Sequence, residues 1–365
     1  MPESRLHRLS ALGQSVWIDF LSRDLLETGA LERMMAEDAV CGVTSNPTIF
    51  QKAMSEGTRY DGQLRELNGS EPRDVFFDLA EQDVANACDL MRRAWDGGAG
   101  RRGYVSIEVD PTLAYDTDGS REQALEFHKR IDRPNLYVKI PGTEAGLPAI
   151  EDMIAAGHSI NVTLIFSLER HRQVMEAYIR GIERLIAAGG DPAPVSSVAS
   201  FFVSRVDTET DKRLDGLGLP ELEGKLAVAN ARLAYRNWQE VFGGDRWAEL
   251  EAAGASEQWC LWASTSTKNP EYRDVLYVEE LIAPNTINTM PEETINAFQD
   301  HGEVALTLED GVEEAEELFA RLAEAGIDYD DVTDTLEREG VEKFSDSFAE
   351  ALQGIRQKQG ALSTA

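Results

Sequence analysis

The sequence predicts an α/β protein, a (β/α)8 TIM-type barrel with extra helices. Three observations predict it. Eight short apolar runs alternate with amphipathic helical segments. Four of those runs set an aliphatic face against a face carrying a polar or ionisable group. The length of 365 residues suits one barrel with insertions.

The runs, in order, are SVWIDF (15–20), VCGVTSN (40–46), GYVSIEVD (103–110), LYVKI (136–140), HSINVTLIF (158–166), PVSSVASFFV (194–203), QWCLWAS (258–264) and VEELIAP (278–284). Eight is the number of strands that closes such a barrel. The clearest helical segments are SRDLLETGALERMMAE (22–37), DVFFDLAEQDVANACDLMRRAW (74–95), SLERHRQVMEAYIRGIERLIAAGG (167–190) and PELEGKLAVANARLAYRNWQEVF (220–242). Each repeats apolar residues at the three-to-four spacing of a helix packed on one face. The expected organisation is one barrel domain over residues 1–365. Helical insertions fall at about 50–100 and 206–256, and an acidic helical tail at about 310–360 packs outside the barrel.

Composition narrows the function classes. Lys and Arg number 35 against 66 Asp and Glu, a formal net charge of −31. Such a surface repels nucleic acid and anionic membrane, so neither is expected as a partner. It also repels anionic metabolites, unless a local cationic pocket overcomes the field. No apolar run approaches the ~18 residues of a membrane span, and the N-terminus lacks a secretory apolar core. The three cysteines form no CxxC pair, which suits a reducing compartment; the expected location is cytoplasmic. The five histidines are scattered without ligand spacing, and no Gly-rich dinucleotide fingerprint is present. No metal and no cofactor are expected. GRRG (100–103) precedes the third strand and reads as a solvated loop.

The polar faces carry the chemistry. Strand side chains alternate between faces. Val16, Ile18 and Phe20 oppose Trp17 and Asp19; Val105, Ile107 and Val109 oppose Ser106 and Glu108. Leu136, Val138 and Ile140 oppose Tyr137 and Lys139; Ile160, Val162 and Leu164 oppose Asn161 and Thr163. Taken singly, a strand lysine reads as an edge or snorkelling residue, and a lone Asp or Glu as a turn or surface group. Together they fit a barrel whose aliphatic faces meet the helices. Asp19, Glu108, Lys139, Asn161 and Thr163 then converge near the C-terminal ends of their strands, where barrel active sites sit. A desolvated lysine favours its neutral, nucleophilic form and forms a Schiff base with a ketone. Two carboxylates in different settings can divide acid and base roles.

Three stretches, GVTSNPTIF after the second run, LYVKIPGTEAG and INVTLIFS, occur in an order that resembles transaldolase, over nearly the whole chain. Within that family the longer insertions and LWASTSTKNP are most similar to the longer bacterial type. The resemblance implies transfer of a dihydroxyacetone unit from sedoheptulose 7-phosphate to glyceraldehyde 3-phosphate, giving erythrose 4-phosphate and fructose 6-phosphate, in the pentose phosphate pathway and without a metal. It implies that Lys139 forms the Schiff base and that Asp19 is the general acid/base at C–C cleavage. Glu108 acts with Thr163 through an ordered water. Thr44, Asn46 and Asn161 hydrogen-bond the dihydroxyacetone portion, and Ser200 touches the same end. Arg205 is the main phosphate ligand, with Ser266 and Lys268 beside it; Lys268 stands where the enteric pattern has an arginine, so charge is kept but a bidentate fork is lost. Phe202 marks a substrate-pocket position. The nearest alternative is a fructose 6-phosphate aldolase-like lyase. In that relative a glutamine resembles the place of Glu108 and a tyrosine that of Phe202, so this chain leans toward transfer. A non-enzymatic sugar-phosphate sensor would need no reactive amine. Family members include monomers, dimers and larger rings, so a homo-oligomer stays open.

Overall fold

The computed structural model describes residues 4–55, 58–98 and 102–363. Eight parallel strands close into a barrel in the order β1 to β8. They are β1 (Gln14–Ile18), β2 (Val40–Val43), β3 (Tyr104–Glu108), β4 (Leu136–Pro141), β5 (Ile160–Ile165), β6 (Ser197–Phe202), β7 (Trp259–Ala263) and β8 (Thr286–Met290). Helices stand outside the ring. Among the described residues, no helix is long and apolar enough to cross a membrane.

The first seven strands fall on the expected runs to within one residue at either end, but the eighth does not. The stretch 278–284 ends a helical turn, Leu276–Glu279, and then passes beneath the barrel, where Gln14 Nε2 donates to the Leu281 carbonyl. Its apolar residues are buried by that packing and not by strand pairing. The true β8 reads TINTM, polar at Thr286, Asn288 and Thr289, and so carries no apolar run. Two helices also differ from expectation. Gly29, at φ 70°, breaks the 22–37 segment into Arg23–Glu27 and Ala30–Glu37. Gly224, at φ 68°, delays the helix expected from 220 until Leu226. In both places a left-handed backbone favours glycine and stops the helix from continuing. In GRRG, Gly100 and Arg101 lie outside the described residues; Arg102 donates to Ser10 Oγ.

Side chains fill the lower half of the ring. Tyr104 and Tyr137 stack at 4.0 Å, and Trp17 stacks on Tyr137 at 6.1 Å. The Tyr137 hydroxyl bonds Ser196 Oγ at 2.6 Å. Gly42 makes room for this layer, since a Cβ there would overlap the Trp17 indole. This aromatic floor seals the barrel from below, and the polar inward residues sit above it.

Part of the acidic tail lies over the barrel mouth. Its long helix, Tyr329–Ser363, packs on the helices that follow β2 and on the end of β5. Two of its residues, Lys343 and Phe344, line the cavity at the barrel mouth. The apolar stripe Val341, Phe344, Phe348, Ala351 and Ile355 is buried, which pins the helix across that end.

Candidate active site

Strand register sets the central row. Glu108 pairs with Lys139 and Lys139 with Asn161 across three adjacent strands. Lys139 and Glu108 are both almost fully buried, and Lys139 Nζ lies 3.1 Å from Glu108 Oε2. The same nitrogen donates to the Ser45 carbonyl at 3.1 Å. A buried cation is thus held by one carboxylate and one backbone oxygen. Burial pushes the Glu108 carboxyl above its ordinary range, and the nearby Lys139 ammonium pulls it partly back.

Asp19 follows β1 directly, and its N–H donates to the Met290 carbonyl at 2.8 Å. Loss of solvation raises its carboxyl above the usual range, opposed by Lys139 and by a hydrogen bond from Thr44. Thr44 Oγ1 donates to Asp19 Oδ1 at 2.7 Å and lies 2.7 Å from Thr289 Oγ1. A hydroxyl has one proton to give. When Asp19 is ionised, Thr44 donates to it and Thr289 must donate to Thr44. The three form a directed chain that ends on the carboxylate.

A cavity of about 300 Å³ opens above this layer, lined by Asp19, Lys139, Thr163, Thr44, Asn46, Ser200, Phe202, Arg205, Ser266 and Lys268. Ten of the twelve residues expected at the site therefore face one volume. The other two stand behind it. Glu108 reaches the cavity only through Lys139. Asn161 is fully buried; its Nδ2 donates to Ser106 Oγ at 3.1 Å and its Oδ1 accepts from Ser200 Oγ at 2.7 Å. Asn46 Oδ1 caps the helix Pro47–Ser55 by accepting from Ile49 N–H at 3.0 Å. Thr163 Oγ1 and Glu108 Oε1 are buried without a hydrogen-bond partner among the described protein groups. At the outer wall, the Arg205 guanidinium lies 5.1 Å from the Phe202 ring centre. Lys268 donates to Ser266 Oγ.

A larger cavity, about 760 Å³, opens at the opposite face beside Cys41, His7 and Arg102. It contains none of the ionisable inward row. Among the described residues, no group of three or more His, Cys, Asp or Glu stands together as a metal's ligand set.

The family model described as Transaldolase/Fructose-6-phosphate aldolase matches residues 16–355. The chain is 54% identical to a transaldolase of Mycolicibacterium smegmatis over 99% of its own length and 98% of that protein's. It is 51% identical to transaldolases of Saccharopolyspora erythraea and Mycobacterium tuberculosis, with at least 96% of each chain covered. The chain belongs to the transaldolase/fructose-6-phosphate aldolase family. It is an enzyme that transfers aldehyde or ketone residues.

Of the lining residues of this transaldolase-family barrel that were not read from its sequence, Thr289 and Lys343 bear most on the chemistry. Thr289 lies on the strand that was misplaced, and its register partner on β1 is Trp17. Knowing that the last strand must follow a left-handed turn would have found it, since Asn285 takes φ 56° just before β8. Lys343 stands on the C-terminal helix, about 200 residues beyond Lys139, and no local pattern marks it as inward.

Proposed function

We propose that this enzyme moves a dihydroxyacetone unit between sugar phosphates, from sedoheptulose 7-phosphate to glyceraldehyde 3-phosphate, through an imine on Lys139. The observation that carries the reading is the buried Lys139–Glu108 pair, 3.1 Å apart, whose lysine shares a cavity floor with Asp19. Glu108 takes a proton from the Lys139 ammonium, and the neutral amine adds to the C2 carbonyl of the ketose. The carbinolamine loses water to give a protonated imine. The unpaired oxygens of Glu108 and Thr163 support a shared water that carries protons in this step. Asp19 then removes the C4 hydroxyl proton, the C3–C4 bond breaks, and its electron pair moves into the imine as an enamine. The aldose phosphate leaves. The enamine carbon attacks the incoming aldehyde, Asp19 returns its proton to the new alkoxide, and hydrolysis frees the product and Lys139.

Thr44, Asn46 and Ser200 hold the three-carbon unit from the cavity wall. Asn161 orients Ser200 from behind. Arg205, Ser266 and Lys268 receive the phosphate. All three cysteines are free and buried, which supports a reducing, cytoplasmic location. Transfer is favoured over simple cleavage because Glu108 is an ionisable proton carrier and the 202 position is a phenylalanine. The test is fructose 6-phosphate turnover with and without erythrose 4-phosphate. Turnover that depends on the acceptor is expected; rapid release of free dihydroxyacetone without it would make the protein a lyase.

A further inference from the structure

Most outer arginines of this acidic protein are tied to carboxylates. Arg130, Arg184 and Arg246 each meet two or more. The cavity mouth is different. Arg205, Lys268 and Lys343 all line it, and none of the three has an ion pair among the described residues. Glu293 also borders the cavity but makes no salt bridge to any of them. We propose that Lys343 of the C-terminal helix is a third phosphate ligand, which makes the enzyme prefer phosphorylated aldehydes over unphosphorylated ones; this rests on the reading of the site given above.

The helix is placed for the task by one of its faces. Glu337 pairs with Arg170 at 3.7 Å. Gly340 sits against the end of β5, where a Cβ would come within 3.1 Å of Leu164 Cδ2 and 3.5 Å of Arg205 Nη1. Phe344 lies 5.8 Å from the Arg205 guanidinium, and Ser347 Oγ accepts from Thr48 Oγ1 at 2.8 Å. These positions recur every three or four residues, so a single stripe crosses the mouth from the β5 side to the β2 side. Lys343 stands on that stripe, one turn past the close approach at Gly340. Leu164 is turned up toward the helix by its own backbone. It takes φ 58° at the point where the β5–β6 register shifts.

The electrostatics agree with the geometry. The Arg205 charge, and then burial, hold the Lys343 ammonium below its ordinary range. Burial, then Lys343, then Arg205 do the same to Lys268. Asp19, Glu108 and Glu339 favour the Arg205 charge, and Glu293 and Asp19 that of Lys268. No carboxylate pairs with any of the three cations among the described residues, however, and a phosphate dianion offers three oxygens to them. Lys268 is a point charge and cannot grip two oxygens as an arginine fork does. A second lysine restores the lost contact from another direction.

Two measurements test this in the full-length enzyme. The first is the ratio of kcat/KM for glyceraldehyde 3-phosphate over unphosphorylated glyceraldehyde. The second is competitive inhibition by inorganic phosphate. Lys343→Met should lower the ratio about tenfold, chiefly through KM, and weaken phosphate inhibition by a similar factor. Lys343→Arg should restore most of both, and Lys343→Glu should lower both further. An unchanged ratio and an unchanged inhibition constant in Lys343→Met would overturn the assignment. So would an equal loss on both aldehydes, which marks a packing role for the residue. If the wild type itself fails to use glyceraldehyde 3-phosphate, the site reading fails and not merely the role of Lys343.

Discussion

The floor and the mouth of one cavity handle charge in opposite ways. At the floor, Lys139 is locked beside Glu108 and every charged group is buried with a partner of opposite sign nearby. At the mouth, Arg205, Lys268 and Lys343 gather without a carboxylate in ion-pair range among the described residues. A closed cluster at the floor lets protons pass between fixed groups, with little reorganisation. An open cluster of one sign is suited to an anion from solution, against a protein whose net charge is −31. The floor is built from strands, and the mouth from one loop and two helices. Mutations at the two ends should therefore separate kcat from KM.

The largest effect is expected at the floor. Lys139→Arg should fold yet lose on the order of 10⁴ or more in kcat, because guanidinium keeps its proton and forms no imine; steady-state assay beside circular dichroism checks it. Asp19→Asn should cost about 10²–10⁴ in kcat, the range for a general acid–base group. Its stability should move the other way. The folded Asp19 carboxyl is raised above its unfolded value, so ionising it opposes folding once the pH passes that ordinary value. Asp19→Asn should accordingly raise Tm at pH 7, with the gain shrinking as pH falls toward the ordinary carboxyl range. In the wild type, kcat should drop on acidification around a midpoint above that range, and this limb should vanish in the variant.

At the mouth, Arg205→Ala should raise KM for phosphorylated substrates by about 10–100-fold while leaving kcat within a few-fold, as the loss of a charge-assisted bond predicts. An equal fall in kcat would erase the division between floor and mouth. The smallest effect belongs to Thr289→Val. Removing the outer donor of the hydroxyl chain should weaken the Thr44 bond to Asp19, cost about 1 kcal/mol in transition-state stabilisation, and shift the acid limb of kcat upward. A pH–rate profile with an unmoved limb would detach Thr289 from Asp19.

The same division decided what could be read from the sequence. Strand alternation revealed Lys139, Glu108, Asp19 and Thr163, because one face of each strand is aliphatic and the exception stands out. It failed for β8, where Thr286, Asn288 and Thr289 give no apolar signal and a buried non-strand segment next to it does. Lys343 was illegible for another reason. On an amphipathic helix a lysine beside a buried phenylalanine looks like any solvated position. Its direction is fixed by the close approach at Gly340 and by the contacts of Phe344 and Ser347, all between residues far apart in the chain. Arg205, in the first turn of the helix Ser204–Leu217, and Lys268, in the loop after β7, were legible through family likeness alone, since neither place has an apolar period to mark an inward residue.

Borohydride reduction in the presence of fructose 6-phosphate, followed by peptide mass spectrometry, tests the central claim most directly. A three-carbon adduct on Lys139 is the result expected of a buried amine that attacks a ketose and retains its dihydroxyacetone half. An adduct on another lysine, or none on an enzyme that still turns over, would contradict it.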